Sequence, residues 1–167
     1  MSDPQHAWLE WLNGLDVPRK AAAESLCTQF SALGVADPVD LIKSEVMEDL
    51  PQLARFVLLR SLWHGAIDAW TEPGSLDQLP AAQRLLAAGS GREDLVRLVR
   101  AAAYEAVFAT LNELDVGGDV NVSGVKAGWV VMESGEDGSP TGRALSGLHE
   151  DLLTMDPSGR DGADLWQ

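Results

Sequence analysis

Apolar residues recur at helical spacing through the first two-thirds of the chain, and this pattern predicts about six α-helices. Each predicted helix begins near a proline or a capping residue, and most end at a glycine or a proline–glycine break. The predicted helices cover residues 4–14, 18–33, 38–46, 51–70, 79–88 and 90–114. The fourth is apolar almost all round, which is typical of a helix at the centre of a bundle. The sixth is expected to begin with a capping box, with Ser90 as the cap and Glu93 three residues later.

From Asp115 onward the pattern of apolar positions changes. Residues 116–119 include two glycines and cannot continue a helix without cost. Val120–Val122 alternates between apolar and polar residues, and Trp129–Met132 is a run of β-favouring residues. We therefore expect short extended segments in this part of the chain.

A hairpin and a final helix are predicted to follow. The pair Asp137-Gly138 is preferred in tight hairpin turns, and Pro140 confines a returning strand through Thr141–Arg143 to a sheet edge. Helical spacing returns over residues 145–155. The predicted fold class is therefore mainly α. We expect a helical bundle of about six helices over residues 1–115, followed by a small β-hairpin and a C-terminal helix over residues 116–167 that pack on the bundle as one domain.

Composition supports a folded protein and restricts its partners. Hydrophobic residues make up 46% of the 167, so the acidic character does not indicate disorder. Asp and Glu number 26 against 12 Lys and Arg, giving a net charge of −14, and residues 112–167 alone hold 11 acids and three bases. The nearest basic group, Arg92, Arg97 and Arg100, is interrupted by Glu93 and Asp94. Since negative potential disfavours phosphate backbones and anionic lipids, we expect neither nucleic-acid nor membrane binding.

The same residues predict a soluble, cytoplasmic protein. The first residues show no basic segment followed by an apolar one, and no apolar run approaches the roughly 18 residues of a membrane span. The single cysteine, Cys27, cannot form an internal disulfide, which fits a reducing compartment. Its neighbours Leu26 and Phe30 indicate that Cys27 is a small buried residue.

One polar stripe is the best candidate for chemistry. Arg60, His64 and Asp68 are spaced i, i+4, i+8, so a regular helix would place them on one face, where the histidine could act as an acid or base. The same stripe is typical of a helix side that faces water, and no nucleophile is placed to complete a site. His149 is interpreted as part of a solvated helix side, and the acidic segment from Asp156 lacks the ligand positions of a calcium loop. We predict no catalytic residue, metal or cofactor.

Aromatic and acidic residues of the last third predict a partner-binding surface. Trp129 and Trp166 lie among carboxylates, a combination typical of protein-binding surfaces, although both could instead close the core of the small C-terminal part. The predicted partner-binding residues are Trp129, Glu133, Glu136, Asp137, Glu150, Asp151, Asp156, Asp161, Asp164 and Trp166.

Three functions are compatible with these observations. The preferred hypothesis is a non-enzymatic module that binds a basic protein, as bacterial immunity proteins and antitoxins do when they neutralise basic toxins. The alternative is a structural or regulatory homo-oligomeric subunit, such as a homodimer formed through an apolar helix face. The second alternative is an enzyme with its site around Arg60, His64 and Asp68.

Overall fold

The computed structural model describes residues 4–118, 124 and 126–166. It confirms the predicted class, since the protein is mainly α-helical with one small antiparallel hairpin and a helix near its C-terminus. The elements in chain order are α1 Pro4–Asn13, α2 Val17–Ala32, α3 Val39–Glu48, α4 Gln52–Leu62, α5 Pro80–Ala87, α6 Arg92–Val116, β1 Val131–Ser134, β2 Pro140–Leu145, α7 Leu148–Asp151 and α8 Ala163–Trp166.

Helix α2 illustrates how local signals fix an element. The carboxylate of Asp16 accepts the backbone N–H of Arg19 at 2.9 Å and caps the helix, while Pro18 occupies its first turn. Ala23, Leu26 and Phe30 form the buried face. Cys27 lies beside that face and is half-buried, so the prediction of a buried thiol is wrong.

The fourth predicted helix does not continue as a regular α-helix to residue 70. Helix α4 ends at Leu62, a π-helical turn follows over Trp63–Ile67, and a 3₁₀ turn covers Asp68–Thr71. Trp63 and Ile67 are completely buried, and the indole N–H of Trp63 donates to the carbonyl of Leu152 at 2.7 Å. A π-turn widens the helix, and here it accompanies the burial of a large indole with its polar atom satisfied.

The start of α6 also differs from the prediction. Gly91, not Ser90, is the N-cap, and no side chain caps the helix. The backbone N–H of Ser90 instead donates to the carbonyl of Leu85, after Gly89 with a φ of +96°. Ser90 is therefore part of the C-terminal cap of α5, where a left-handed glycine reverses the chain.

The hairpin forms at the predicted turn. Gly138 donates to the carbonyl of Gly135 at 2.9 Å, and the carboxylate of Asp137 accepts the N–H of Ser139 at 2.9 Å. Because the sheet has only two strands, β2 tolerates Pro140 at its first position. The predicted extended segment Val120–Val122 lies outside the described residues.

The last predicted helix is shorter than its apolar spacing suggests. Leu145 ends β2, and α7 comprises only Leu148–Asp151. Gly147 precedes α7 with a φ of +65°, a left-handed conformation that does not belong in a helix. The prediction of one helix over residues 145–155 is therefore wrong at both ends.

The chain forms two compact units that interleave in sequence. Unit 1 comprises Met1–Arg55 and Met132–Ala144, and unit 2 comprises Phe56–Val131 and Leu145–Gln167. Leu12, Phe30 and Ile42 are among the core residues of unit 1, whereas the larger core of unit 2 includes Trp63, Ile67, Leu76, Tyr104, Leu148, Leu152 and Leu165. The predicted division into residues 1–115 and 116–167 follows the change in the pattern of apolar positions at Asp115 and stays a prediction.

Within the described segments, none of the helices combines the length and apolar character that crossing a bilayer requires.

Candidate functional site

Among the predicted partner-binding carboxylates, Glu133, Asp156 and Asp164 are buried or half-buried and are bound to groups of the chain itself. Glu133 forms two hydrogen bonds with the guanidinium of Arg143. Asp164 pairs with Arg100. Asp156 is buried and accepts hydrogen bonds from the backbone of Ser158 and of Gly162, each at 2.8 Å, so it holds the loop before α8. These carboxylates stabilise local structure.

The other predicted residues lie closer to solvent. Glu136, Asp137, Glu150 and Asp161 are exposed, and Asp151 is half-buried. The side chains of Trp129 and Trp166 stay about half-exposed, at 45% and 54%. Trp129 donates its indole N–H to the carbonyl of Glu113 at 2.9 Å, and Trp166 packs edge-on against Tyr104 with ring centroids 5.8 Å apart. Each indole therefore contacts the body of unit 2 and presents part of its ring to solvent.

Charge is divided equally between the two units. Unit 1 contains 12 acidic and five basic residues, and unit 2 contains 14 acidic and seven basic residues, so each has a net charge of −7. Glu133, Glu136 and Asp137 belong to unit 1, whereas the other seven predicted partner-binding residues belong to unit 2. The acidic residues that are concentrated in the last third of the sequence are therefore distributed over both units of the structure.

In unit 2, two carboxylates converge on a buried arginine. The guanidinium of Arg100 donates to Asp68 and to Asp164, both at 2.6 Å, and Arg160 reaches Asp164 at 3.0 Å. Burial opposes the charge on Arg100, but the hydrogen bonds to Asp164 and Asp68 outweigh it and raise its pKa. Burial likewise opposes ionisation of Asp164, yet the hydrogen bond from Arg100 holds its pKa below the ordinary value. Arg100 and Asp164 are therefore both charged at neutral pH.

Unit 1 contains a comparable cluster around Arg143. Its guanidinium donates to Glu133 and, at 3.1 Å, to Glu45, and lies 3.5 Å from a carboxylate oxygen of Asp49. Glu45 is buried and also accepts the backbone N–H of Leu53 at 2.8 Å. Burial opposes ionisation of Glu133, but the hydrogen bonds from Arg143 and Thr141 outweigh it and lower its pKa. The hydrogen bond to Glu133 raises the pKa of Arg143.

The Arg143 cluster opens onto a cleft of about 450 Å³ between α2 and α3, here called the α2–α3 cleft. Its lining combines apolar side chains with charged ones. The lining residues are Pro18, Arg19, Ala22, Ser25, Leu26, Glu45, Val46, Asp49 and Arg143. All of them belong to unit 1, so the cleft is a feature of that unit alone.

Unit 2 has an apolar groove of about 270 Å³ between α4 and α6, here called the α4–α6 groove. Thr110 supplies the one polar side chain of its lining. The lining residues are Leu58, Leu62, Ala106, Val107, Thr110, Leu111 and Leu114. An apolar groove between two helices is a surface that another helix could cover.

The candidate catalytic stripe is not a continuous helical face. The π-helical turn Trp63–Ile67 lies between Arg60 and Asp68, so α-helical spacing does not relate the three side chains. His64 is exposed, and Asp68 is paired with Arg100. An enzyme centred on this stripe stays a hypothesis.

The structure contains a histidine–carboxylate pair that the sequence does not predict. Asp115 Oδ2 lies 2.6 Å from His149 Nδ1 and also accepts the backbone N–H of His149 at 3.0 Å. The ring of His149 meets that of Phe108 edge-on at 5.6 Å. A carboxylate in this position orients an imidazole, as it does in acid–base sites, and here it also joins α7 to the end of α6. The two residues are 34 positions apart, so no local spacing indicates their contact.

Among the described residues, no three His, Cys, Asp or Glu side chains lie together in a way that could hold a metal ion.

Comparisons with known proteins find no match to this chain among protein-family models, curated protein sequences or solved structures. A functional conclusion therefore depends on the residues themselves.

Proposed function

We propose that this protein is a non-enzymatic protein-binding module that recognises a basic protein partner through its acidic surface. The observation that supports this proposal is a difference between its basic and acidic residues. Most of the arginines form ion pairs with carboxylates of the same chain, whereas many other carboxylates are exposed.

At least six arginines of the described residues form ion pairs with acidic residues of the chain, and this reduces the positive charge available at the surface. These arginines are Arg19, Arg92, Arg97, Arg100, Arg143 and Arg160. Many carboxylates stay exposed and form no ion pair within the described part of the chain. They include Glu10, Glu24, Asp40, Glu72, Glu105, Glu113, Glu136, Glu150 and Asp161.

Uncompensated surface carboxylates favour a cationic partner for two reasons. Complementary potentials raise the rate of encounter, and like charges exclude acidic competitors. The half-exposed rings of Trp129 and Trp166 add apolar area of the kind that stabilises a complex after encounter. A protein that neutralises a basic toxin is one example of this class, and a cytoplasmic location fits the single cysteine.

Association kinetics at two salt concentrations test this proposal. The partner for the test is a basic protein found by co-purification with this one from its native host. Between about 20 mM and about 500 mM salt, we expect the association rate to fall about tenfold or more, because screening removes electrostatic steering. An association rate that does not depend on salt would contradict the proposal.

The α4–α6 groove favours a second candidate, a homo-oligomeric subunit. Two copies joined at this apolar surface would bring together two chains of charge −14. Added salt would screen their repulsion and strengthen self-association, the opposite of its effect on a basic partner. Sedimentation at both salt concentrations therefore separates the two candidates, since a dimer that becomes more stable with salt supports the second one.

A further inference from the structure

We propose that the α2–α3 cleft is an anchoring site for a lysine or arginine side chain of the partner. This inference rests on the proposed function and deepens it, because it names the chemical group that unit 1 receives. Three features of the cleft support a cationic group with an aliphatic stem.

The first feature is an excess of negative charge around the cleft. Arg143 is surrounded by three carboxylates, those of Glu45, Asp49 and Glu133. The other arginine of the lining, Arg19, has its own carboxylate partner, Asp16, at 3.7 Å. The lining itself holds two carboxylates and two guanidinium groups. Their ion-pair partners Glu133 and Asp16 bring the set to four carboxylates and two guanidinium groups, and a further cation would reduce this imbalance.

The second feature is the position of the cleft at the end of α3. Val46 lies in the last turn of this helix, and Asp49 is its C-cap. The C-terminal end of a helix carries partial negative charge on its last carbonyl groups and favours cations. The side chain of Asp49 is 85% exposed, so its carboxylate is accessible to a group arriving from solvent.

The third feature is the apolar part of the lining. Pro18, Ala22, Leu26 and Val46 line the cleft beside the charged groups. Lysine and arginine bury their methylene stems against apolar surface while the charged head contacts polar groups. An anionic ligand fits less well, because Nε and Nη2 of Arg143 already donate to the cluster's own carboxylates.

Binding of a single arginine derivative tests the site without a partner. We expect N-acetyl-arginine amide to shift the backbone NMR resonances of residues 18–26 and 45–49 in a saturable manner. Its uncharged isostere, N-acetyl-citrulline amide, should leave them unchanged. The variant Asp49→Asn removes one carboxylate and keeps a residue that tolerates the left-handed φ of 58°. We expect it to weaken binding about two- to fivefold.

The matched control is Glu10→Gln, which removes one exposed carboxylate of unit 1 that does not line the cleft. It should leave the affinity for the arginine derivative unchanged. Equal weakening by both variants, or shifts spread over acidic residues of both units, would overturn the proposal and indicate general charge attraction. If the basic partner binds with normal salt dependence but Asp49→Asn has no effect, the cleft proposal fails and the proposed function stands. If the arginine derivative binds the cleft but no basic protein binds, the proposed function fails instead.

Discussion

Arg100 and Arg143 each hold acidic residues from distant parts of the chain together. Arg100 is 64 residues from Asp164, and Arg143 is 98 residues from Glu45. Removing one member of a buried ionic cluster leaves its partners desolvated and uncompensated, which costs more than the loss of an exposed ion pair. At the scale of single residues, we therefore expect substitution of either arginine to cost more stability than substitution of an exposed charged residue.

The variant Arg100→Met tests this sensitivity. We expect the free energy of unfolding to fall by about 2–3 kcal/mol, since Asp68 loses the guanidinium it is paired with and Asp164 keeps only the more exposed Arg160, while both carboxylates keep part of their hydration. The matched control is Arg97→Met on the same helix, because Arg97 is exposed and lies 3.9 Å from Asp94. The control should change the free energy by less than about 1 kcal/mol. Urea titration measures both values, and equal losses would contradict a special role for Arg100.

At the scale of elements, the end of α6 depends on a close backbone approach. Gly117 ends the helix with a φ of +72°, and its carbonyl accepts the backbone N–H of Trp129 at 2.9 Å. A Cβ atom on Gly128 would lie 2.5 Å from the carbonyl oxygen of Gly117, closer than real Cβ contacts allow. Only glycine therefore fits at residue 128 without a backbone shift.

The substitution Gly128→Ala should accordingly destabilise the protein by about 1–3 kcal/mol. The same substitution at Gly65 is the control, because no atom lies within 4 Å of a Cβ there. Gly65 lies in a helical turn, so Gly65→Ala should be neutral or stabilise by up to about 1 kcal/mol. Thermal unfolding compares the two variants, and a neutral Gly128→Ala would show that the chain relaxes easily at this point.

Local signals predicted the elements better than they predicted the sites. The proline at the start of α2 and the Asp137-Gly138 turn act over a few residues, so the sequence indicates them directly. The π-turn at Trp63 instead accompanies a hydrogen bond to Leu152, 89 residues away, which no local spacing indicates. Glu133 and Asp164 were expected on a binding surface because their arginine partners lie far from them in sequence or on another element. Charge counts cannot distinguish a carboxylate bound internally from one that faces solvent.

At the scale of the whole molecule, both units contain an arginine held between carboxylates. The pKa of Glu133 in unit 1 and that of Asp164 in unit 2 are lowered in the folded state. A carboxyl group whose pKa is lower in the folded state than in the unfolded state stabilises the folded protein when it is ionised. This stabilisation is complete above the unfolded pKa of about 4 and is lost as the pH falls through the folded pKa. Lowering the pH is therefore expected to destabilise both units.

We accordingly expect the urea midpoint of unfolding to be lower at about pH 3 than at about pH 6. The decrease should be smaller or reversed in Arg143→Met, because the pKa of Glu133 would no longer be lowered by the guanidinium and its protonation would relieve an uncompensated charge. Circular dichroism at several pH values measures the midpoints. A wild-type midpoint that is constant or rises below pH 4 would contradict this prediction.

The interleaving of the two units has a consequence for biosynthesis. During translation, Glu45 is added to the chain 98 residues before Arg143. The nascent N-terminal segment thus emerges with a carboxylate whose cation has not been translated, and its hairpin follows only after most of unit 2 has been made. Unit 1 therefore completes its fold late, although its helices α1, α2 and α3 are translated before the segments of unit 2.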